Sequence, residues 1–294
     1  MATVVQHDFA RDASPIAVLF VQGQPDHPIH GHGFTELVLV TRGSATHVVG
    51  GHRVAIAAGD AFVIVRGIEH GYEEAYDFDI YNVLFQEEAL GFPILDIEEM
   101  PGYRALFREE PELRASGRAS CHLRLTASDL AIVVPWVQEL DRGLKIKDAG
   151  YRFKALVLLL EIIGRVSRAY SELEHPQPRA LVRVSQATQY IDAHLGEEIR
   201  ILDLARRSGL SESSLLRSFQ QAFDCTPVEY ILGARVARAK SLLERTDLSM
   251  TDVAVQVGLS DSSHFSRTFR RLVGKSPSEY RRELEERRAT ERKS

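Results

Sequence analysis

The chain has 294 residues, which is long enough for two domains with separate hydrophobic cores. It contains no run of 18 apolar residues, and its first residues lack the basic and apolar regions of a secretion signal. The sequence therefore argues against a membrane-spanning helix and against export. Its cysteines, Cys121 and Cys225, lie far apart in no pairing motif, which favours a reducing compartment over a disulfide. We expect a cytoplasmic protein.

The formal net charge of −5 argues against nucleic-acid binding if it is taken over the whole chain, but it conceals two unlike halves. Residues 1–178 carry 16 basic and 25 acidic side chains, whereas residues 179–294 carry 20 basic and 16 acidic ones. An acidic sensor domain joined to a basic DNA-binding domain would produce this asymmetry.

The first part of the chain, from about Ile16 to Phe85, has the pattern of short strands. Alternating or β-branched runs are separated by turn residues, with no helical pattern between them. The runs are 36–40, 45–49 and 61–65, and the turn signals are 42–44, 50–51 and 58–60. This spacing predicts a small antiparallel barrel or sandwich.

The middle of the chain changes to apolar positions at helical spacing, near 129–141 and 151–170. The polar stretch 171–178 contains two prolines, which break helices, and predicts an interdomain linker. The division that follows is an N-terminal domain at 1–95, a helical segment at 96–175 and a C-terminal helical domain at 176–294.

The C-terminal domain contains an internal repeat with a period of fifty residues. Five pairs fall in register: Arg217 with Arg267, Phe219 with Phe269, Pro227 with Pro277, Glu229 with Glu279, and Tyr230 with Tyr280. A plain helical bundle that arose by duplication would show the same repeat, but each copy also has the features of a helix-turn-helix.

Each copy begins with a short amphipathic helix that ends at a glycine, Gly209 or Gly258, which suits a left-handed helix end. Ser211 in the first copy, and Ser260 or Asp261 in the second, can cap the next helix. We place the two units at about 199–223 and 249–273, joined by one helix at 228–245. About 18 helical residues span roughly 27 Å, and the flanking units can supply the rest of the roughly 34 Å between successive major grooves.

Residues 258–281 resemble the signature of the AraC/XylS family of transcription regulators, and the resemblance covers about 182–284. The family implies that one chain reads two adjacent major-groove segments with two recognition helices. The contact positions that it implies are Ser213, Ser214, Leu216, Arg217, Ser263, His264, Ser266 and Arg267, with Arg270, Arg271 and Lys275 on phosphates.

Two features of these positions leave alternatives open. Arg217 and Arg267 would bond guanine through both guanidinium nitrogens, or would contact phosphates instead. Leu216 stands where the family often has a polar residue, so the first unit either reads thymine methyl groups or contributes less specificity.

A second resemblance concerns the histidines, seven of which lie in the first 70 residues. His30-Gly-His32 with Glu36 and Gly43 resembles the first cupin motif. Gly59, Gly67 and His70 resemble the second, although Val65 stands where the cupins often have proline. The resemblance implies that His30, His32, Glu36 and His70 are metal ligands. That donor set suits Zn, Ni, Mn, Fe or Co.

The same four side chains could instead hydrogen-bond a small effector directly, without a metal, as in cupin-type sensor domains that bind sugars. Residues 34–85, and above all 81–85, resemble regulators of sugar catabolism of the rhamnose type. In this family the helical segment pairs two subunits. The candidate residues are Leu156, Leu159, Leu160 and Ile163, although packing within one subunit would explain them equally well.

We therefore predict an α+β multidomain protein with a cupin-like β-barrel, a helical dimerisation segment and an all-α double helix-turn-helix domain. Its predicted function is sequence-specific DNA binding that responds to a small effector or metal, as a homodimer on double-stranded DNA, without a membrane partner. It is not predicted to be an enzyme. The alternatives are a metal-dependent cupin enzyme fused to a DNA-binding domain, and a sensor for which the metal itself is the effector.

Overall fold

The computed structural model describes residues 3–5, 14–90, 97–119, 122–259 and 262–291. The chain divides into two compact units, residues 1–185 and 186–294. In the described residues we find no helix that is long and apolar enough to span a membrane. Cys225 is in no disulfide with a described residue, and Cys121 lies outside the described residues.

The N-terminal unit is built on one eight-stranded sheet. The strands are β1 (Thr3–Val5), β2 (Ile16–Val21), β3 (His27–His32), β4 (Thr35–Val49), β5 (His52–Ala57), β6 (Asp60–Ile64), β7 (His70–Phe85) and β8 (Leu123–Arg124). β4 and β7 are the longest strands and pair with each other from end to end. β2 and β6 pair with one half of this central ladder, and β3 and β5 with the other.

The predicted antiparallel character is confirmed for every strand pair except β1 with β3, which is parallel. The sheet does not close into a barrel, because its strand order runs β1-β3-β7-β4-β6-β8, with β2 and β5 added on β7 and β4. The domain is therefore a cupin-like antiparallel sheet, as predicted, and it stays open.

The predicted turn at 42–44 is wrong, because β4 continues through it. The pairing of β4 with β7 shifts three times between Val40 and Thr46, so the irregularity is a series of bulges inside one long strand. Gly43 has a φ of 69°, and a Cβ there would lie 2.1 Å from the Asp77 carbonyl oxygen. Only glycine fits this close approach of the two strands.

The predicted turn at Gly50–Gly51 is confirmed as the two-residue connection of β4 to β5.

The core of this unit lies between the two halves of the sheet. Its members are fully buried β-branched and aromatic side chains: Val38, Val40, Ile56, Phe62, Ile64, Phe78 and Ile80. These side chains come from β4 to β7, so the hydrophobic core depends on the bend of the two long strands.

A helical segment follows the sheet. It contains α1 (Pro101–Arg104), a π-helical turn (Ala105–Glu109), α2 (Glu110–Ala115), α3 (Ala127–Ile146), α4 (Tyr151–Ser171) and α5 (Pro176–Ala193). α3 and α4 confirm the two predicted helices. α4 ends at Ser171 and α5 begins at Pro176, so the break is shorter than the predicted linker. Both prolines fit because they lie in the first turn of α5, where backbone N–H groups have no helical partner.

The C-terminal unit continues with α6 (Ile201–Arg207), α7 (Glu212–Phe223), α8 (Pro227–Arg245), α9 (Met250–Gln256), α10 (Ser262–Val273) and α11 (Pro277–Glu291). α6 with α7 and α9 with α10 form the predicted helix-turn-helix units, and α8 is the predicted connecting helix.

The buried carboxylate of Asp60 fastens the short strand β8 to the sheet. The Asp60 carboxylate accepts hydrogen bonds from the Ala57 N–H and from the Arg124 guanidinium, each 2.7 Å long, and lies 2.8 Å from His122 Nε2. Burial alone would raise the pKa of Asp60, but the hydrogen bonds from His122, Arg124 and Ala57 lower it to about 2. These contacts connect the helical segment to the sheet.

We expect Asp60→Asn to destabilise the N-terminal unit by at most about 2 kcal/mol at pH 7. The stabilisation by Asp60 is present above the usual carboxyl pKa and is lost as the pH falls through about 2. The difference in the free energy of unfolding between wild type and Asp60→Asn should therefore stay constant from pH 8 to 5 and shrink below pH 4. Urea unfolding followed by Trp136 fluorescence measures it, since Trp136 is the only tryptophan of the chain.

Asp141→Asn is the control, because Asp141 pairs with an exposed lysine on the surface of α3. Asp141→Asn should change the free energy of unfolding by no more than about 0.5 kcal/mol. Equal effects of the two variants would contradict the role assigned to Asp60.

Candidate functional site

Three of the four cupin-type residues meet inside the N-terminal unit. His32 ends β3, Glu36 lies near the start of β4, and His70 begins β7. Their potential ligand atoms all lie within 4.8 Å of one another, and all three residues are buried. Glu36 Oε2 lies 3.0 Å from His32 Nε2 and 3.6 Å from His70 Nε2. We call His32, Glu36 and His70 the buried triad.

The contacts within the buried triad are not hydrogen bonds. In the described part of the chain, His32 Nε2 and both ring nitrogens of His70 have no hydrogen-bond partner, although Glu36 lies close by. The other ring nitrogen of His32, Nδ1, lies 2.9 Å from the Phe34 carbonyl oxygen, which fixes the direction of the ring. This arrangement is typical of a histidine whose remaining nitrogen binds a metal.

Electrostatics keep His70 in the form that a metal requires. Burial lowers the pKa of His70 well below its usual value, and the nearby His47 and His30 lower it further. A neutral imidazole has a lone pair available for coordination. Two imidazole nitrogens and one carboxylate fit a divalent transition metal, with coordination positions left over for water or a ligand. The residues present therefore fit the implied ion.

His30, the fourth predicted ligand, is adjacent to the buried triad but not part of it. Its ring centroid lies 4.3 Å from that of His70, yet its nitrogens are outside the group of converging ligand atoms. His30 Nδ1 lies 3.0 Å from the Pro28 carbonyl oxygen instead. Burial lowers the pKa of His30, and the contact with the Pro28 carbonyl partly offsets this lowering. The structure thus assembles three of the four predicted residues.

His47 is a buried histidine that the sequence analysis did not select. It is fully buried on β4, and its ring centroid lies 5.7 Å from that of His70 and 4.6 Å from that of Phe62. Burial, and then the charge of Arg114, lower the pKa of His47 well below its usual value. The feature of the sequence that could have pointed to His47 is its position in the predicted strand 45–49, on the inward side.

The two recognition helices of the C-terminal unit are built alike. Ser211 caps the N-terminus of α7, as predicted, and its hydroxyl accepts a hydrogen bond from the Ser214 N–H. The predicted caps of α10, Ser260 and Asp261, lie outside the described residues. Gly209 and Gly258, at φ of 62° and 72°, confirm the predicted left-handed helix ends.

The packing behind the recognition helices also repeats. Phe219 on α7 packs edge-on against Tyr230, with ring centroids 5.4 Å apart, and Phe269 on α10 packs against Tyr280 at 5.7 Å. Thr226 directly precedes α8 and Ser276 directly precedes α11, and each forms a capping box with the glutamate three residues later. The repeat in the sequence is therefore a repeat of packing and capping.

The predicted base-contacting residues lie on the outer faces of α7 and α10. Arg217 and Arg267 are exposed, as are Ser213, Leu216, Ser263, His264 and Ser266, while Ser214 is half-buried. Leu216 is 45% exposed, which is a large exposed fraction for a leucine. The structure thus presents one arginine and several small polar groups on each helix, the combination that suits a major groove.

The predicted phosphate contacts differ in availability. Arg270 and Arg271 are exposed on the last turns of α10. The charge of Arg271 adds to the Thr226 capping hydrogen bonds in lowering the pKa of Glu229. Lys275 forms an ion pair with Glu283, so a phosphate would have to compete with that carboxylate.

Comparison with known proteins gives matches for both units. Residues 18–130 match the AraC-like ligand binding domain, and residues 204–283 match a helix-turn-helix domain. The HTH-type transcriptional activator RhaR of Mannheimia succiniciproducens is 27% identical over 274 residues, which cover 93% of this chain and 94% of that protein. The HTH-type transcriptional activator RhaS of Enterobacter sp. is 28% identical, with the same coverage of both chains.

Among solved structures, the chain is similar to a transcriptional regulator with an AraC-type DNA-binding domain from Chromobacterium violaceum. The identity is 30%, the match covers 35% of this chain and 91% of that one, and the TM-score is 0.34.

We expect the buried His47 to make the N-terminal unit less stable in acid. The unfolded chain binds a proton on His47 as the pH falls through about 6.5, whereas the folded chain does not, because burial lowers its pKa. Below pH 6, His47 should therefore lower the free energy of unfolding by about 1.4 kcal/mol for each unit by which the pH falls. Urea unfolding of wild type and His47→Leu, followed by Trp136 fluorescence, should show a shallower pH dependence in the variant. Parallel curves from pH 7.5 to 5 would contradict the prediction.

Proposed function

Because the chain belongs to the AraC family of transcription regulators, we propose that it reads a double-stranded operator with α7 and α10 under control of an effector bound in its N-terminal unit. The observation that carries this proposal is the pair of equivalent recognition helices, each with an exposed arginine on a buried aromatic support. The two full-length relatives are named as transcriptional activators, and we propose activation for this chain too.

We propose that Arg217 and Arg267 read guanines, while Arg270 and Arg271 contact the DNA backbone. A guanidinium matches the two acceptors of guanine in the major groove, and each such contact discriminates by ~1–3 kcal/mol. Lys275 would contribute less to phosphate binding because it is paired with Glu283.

Arg267→Ala should weaken binding to a specific duplex by roughly 5- to 150-fold and leave salt-dependent binding to random duplex nearly unchanged. The specific duplex is one selected from a random pool by the unmutated protein, and fluorescence anisotropy across a salt series measures both affinities. Arg217→Ala should likewise weaken binding to the specific duplex and not to random duplex, through bases in the other half of the site.

Arg152→Ala is the matched control, because it removes the same charge from an exposed position on α4 in the N-terminal unit. Arg152→Ala should leave the discrimination between specific and random duplexes unchanged. If the unmutated protein bound specific and random duplexes equally well, the proposed function itself would be wrong.

We propose that the buried triad binds a divalent transition metal, and that the effector is a small molecule, with a sugar the first class to test. The converging nitrogens of His32 and His70, which have no hydrogen-bond partner in the described residues, support the metal. The resemblance of residues 34–85 to regulators of sugar catabolism supports the sugar. When bound, the metal would supply a Lewis-acidic centre for an oxygen ligand, while His32, Glu36 and His70 hold it.

Metal-free full-length protein should bind one Zn²⁺ or Ni²⁺ per chain in isothermal titration calorimetry. Glu36→Gln and His70→Gln should each weaken binding at least tenfold, since loss of even an outer-shell partner costs about that much. His30→Ala should weaken binding less than either, because its nitrogens lie outside the buried triad.

The control variant is His52→Ala, which removes an exposed histidine on β5 of the same unit. Substoichiometric binding, or an equal loss in His52→Ala, would contradict the metal site. A change in operator affinity on adding metal alone would identify the metal itself as the effector.

We propose that the chain acts as a homodimer through the outer face of α4. Two of the four residues suggested by the sequence do not serve this purpose, because Leu159 and Ile163 are buried within the same subunit. Phe153 and Val157 are exposed and lie one turn apart, and they replace the buried pair as candidates. We further propose that the role is regulatory rather than catalytic, since the relatives are transcription regulators and the match covers nearly their full length.

A further inference from the structure

Arg235 lies near the middle of α8, the helix that connects the two helix-turn-helix units, and is half-buried. We call α6 with α7 the first repeat and α9 with α10 the second repeat. Arg235 Nε donates a hydrogen bond of 3.0 Å to the Leu195 carbonyl oxygen, and Nη2 donates one of 2.6 Å to the Glu197 carbonyl oxygen. Both carbonyls belong to the segment between α5 and α6. These two hydrogen bonds, which we call the Arg235 bridge, fasten the connecting helix to the segment that leads into the first repeat.

The same guanidinium also contacts the turn of the second repeat. A Cβ atom on Gly258, which follows α9, would lie 2.7 Å from Arg235 Nη2 and 2.5 Å from the Leu195 carbonyl oxygen. A Cβ atom on Gly196 would lie 3.1 Å from the Gln256 carbonyl oxygen, so the two backbone segments approach each other closely. Arg235 therefore lies where the entry to the first repeat meets the turn of the second.

An open cleft, rather than apolar packing, separates the two repeats beside Arg235. The cleft has a volume of about 540 Å³ and is lined by Ile199 and Ile201 on one side and by Val255 on the other. Val255 is 56% exposed, so this side chain does not close the second repeat against the first. At this point the relative placement of the repeats depends on α8 and on the contacts of Arg235.

The internal repeat of the sequence distinguishes Arg235 from the residues that support each recognition helix. Supporting residues occur twice, as Tyr230 and Tyr280 do. The position fifty residues after Arg235 is Glu285, which is exposed on α11. The turn glycines also differ, since a Cβ atom on Gly209 would meet no described atom within 4 Å, unlike one on its counterpart in the second repeat. A residue that supports one repeat recurs in the other, whereas a residue that joins the two repeats occurs once.

The chemistry of the guanidinium makes the Arg235 bridge directional. Hydrogen bonds from a charged donor are roughly twice as strong as those between neutral groups, and the planar guanidinium holds its donors in a fixed fork. A donor–acceptor distance of about 3.6 Å is no longer a hydrogen bond. A relative movement of roughly 1 Å would therefore break the bond of 2.6 Å to the Glu197 carbonyl oxygen.

We propose that Arg235 is a positioning residue that holds α7 and α10 at one separation, so that DNA binding depends on the spacing between the two segments that these helices read. The inference rests on the proposed function and names a residue that acts on DNA reading through the protein. One extra base pair moves the two segments apart by ~3.4 Å and rotates one against the other by ~35°. The unmutated protein can follow this displacement only by breaking the Arg235 bridge.

A spacing variant of the specific duplex tests this role. One base pair is inserted between the bases whose reading is lost in Arg217→Ala and those whose reading is lost in Arg267→Ala, and fluorescence anisotropy measures the affinities. The insertion should weaken binding of the unmutated protein by roughly 5- to 150-fold, because one recognition helix loses its base contacts. For Arg235→Met this insertion penalty should be roughly 2- to 12-fold smaller, the range of one net hydrogen bond.

Arg238→Met is the matched control, because it removes the same charge from an exposed position on the same helix. Its insertion penalty should equal that of the unmutated protein. If Arg235 only stabilised the fold, Arg235→Met would weaken binding to both duplexes in parallel, so an unchanged insertion penalty in this variant would overturn the proposal.

The more conservative Arg235→Lys keeps the charge and can keep one of the two hydrogen bonds. Its insertion penalty should therefore lie between those of the unmutated protein and Arg235→Met. If Arg235→Met does not fold, an unchanged penalty in Arg235→Lys overturns the proposal.

Distances measured without DNA test the positioning role separately from the proposed function. Gln221→Cys and Arg271→Cys place spin labels at equivalent exposed positions on α7 and α10, in a full-length chain whose two native cysteines are replaced by serine. Double electron–electron resonance should give a broader distance distribution for Arg235→Met than for Arg238→Met. Identical distributions would overturn the proposal.

The two measurements together distinguish the possible failures. If the distance distribution broadens in Arg235→Met but the unmutated protein does not discriminate its specific duplex, the positioning role stands and the proposed DNA function fails. If the unmutated protein discriminates its specific duplex but neither the distribution nor the insertion penalty changes in Arg235→Met, the DNA function stands and the positioning role is wrong.

Discussion

The N-terminal unit depends on a single long pairing, that of β4 with β7. Regular pairing would put Glu36 and His47 on opposite faces of β4, because their sequence positions differ by an odd number. The register shifts between Val40 and Thr46 change this phase, and both side chains end up buried near His70. The bulges, made possible by the positive φ of Gly43, thus create a polar interior in a sheet whose strands are largely apolar.

This polar interior is costly unless something occupies it. Lowered pKa values keep the buried His47 and His70 neutral, and their ring nitrogens have no hydrogen-bond partner among the described residues. The same low-polarity environment that penalises an unpaired polar group strengthens every contact that such a group makes. A sensor needs this property, because its folded state should gain stability when the ligand binds.

The C-terminal unit solves a different problem, that of holding two recognition helices from one chain on equivalent supports. Each unit uses a glycine to end the first helix, an aromatic pair behind the second, and a capping box to start the helix that follows. Because the supports are alike, the two units differ chiefly in exposed residues such as Leu216 and its counterpart Ser266.

The sequence by itself determined the features that depend on neighbours along the chain. The helix-turn-helix units, their glycine ends, the Ser211 cap and the Gly50–Gly51 turn were all predicted, since backbone preference and side-chain caps act over a few residues. The resemblance to the cupin motifs also selected His32, Glu36 and His70, which the structure brings together.

Only the tertiary structure decided which side chains meet. The bulges at Gly43 depend on a carbonyl of β7, and His30 turns to Pro28 rather than to the buried triad. Leu159 faces the inside of its own subunit, although the helical periodicity alone did not distinguish this from a dimer contact. Arg114 reaches the interior from a helix far along the chain. These outcomes rest on contacts between segments distant in sequence, which no local pattern encodes.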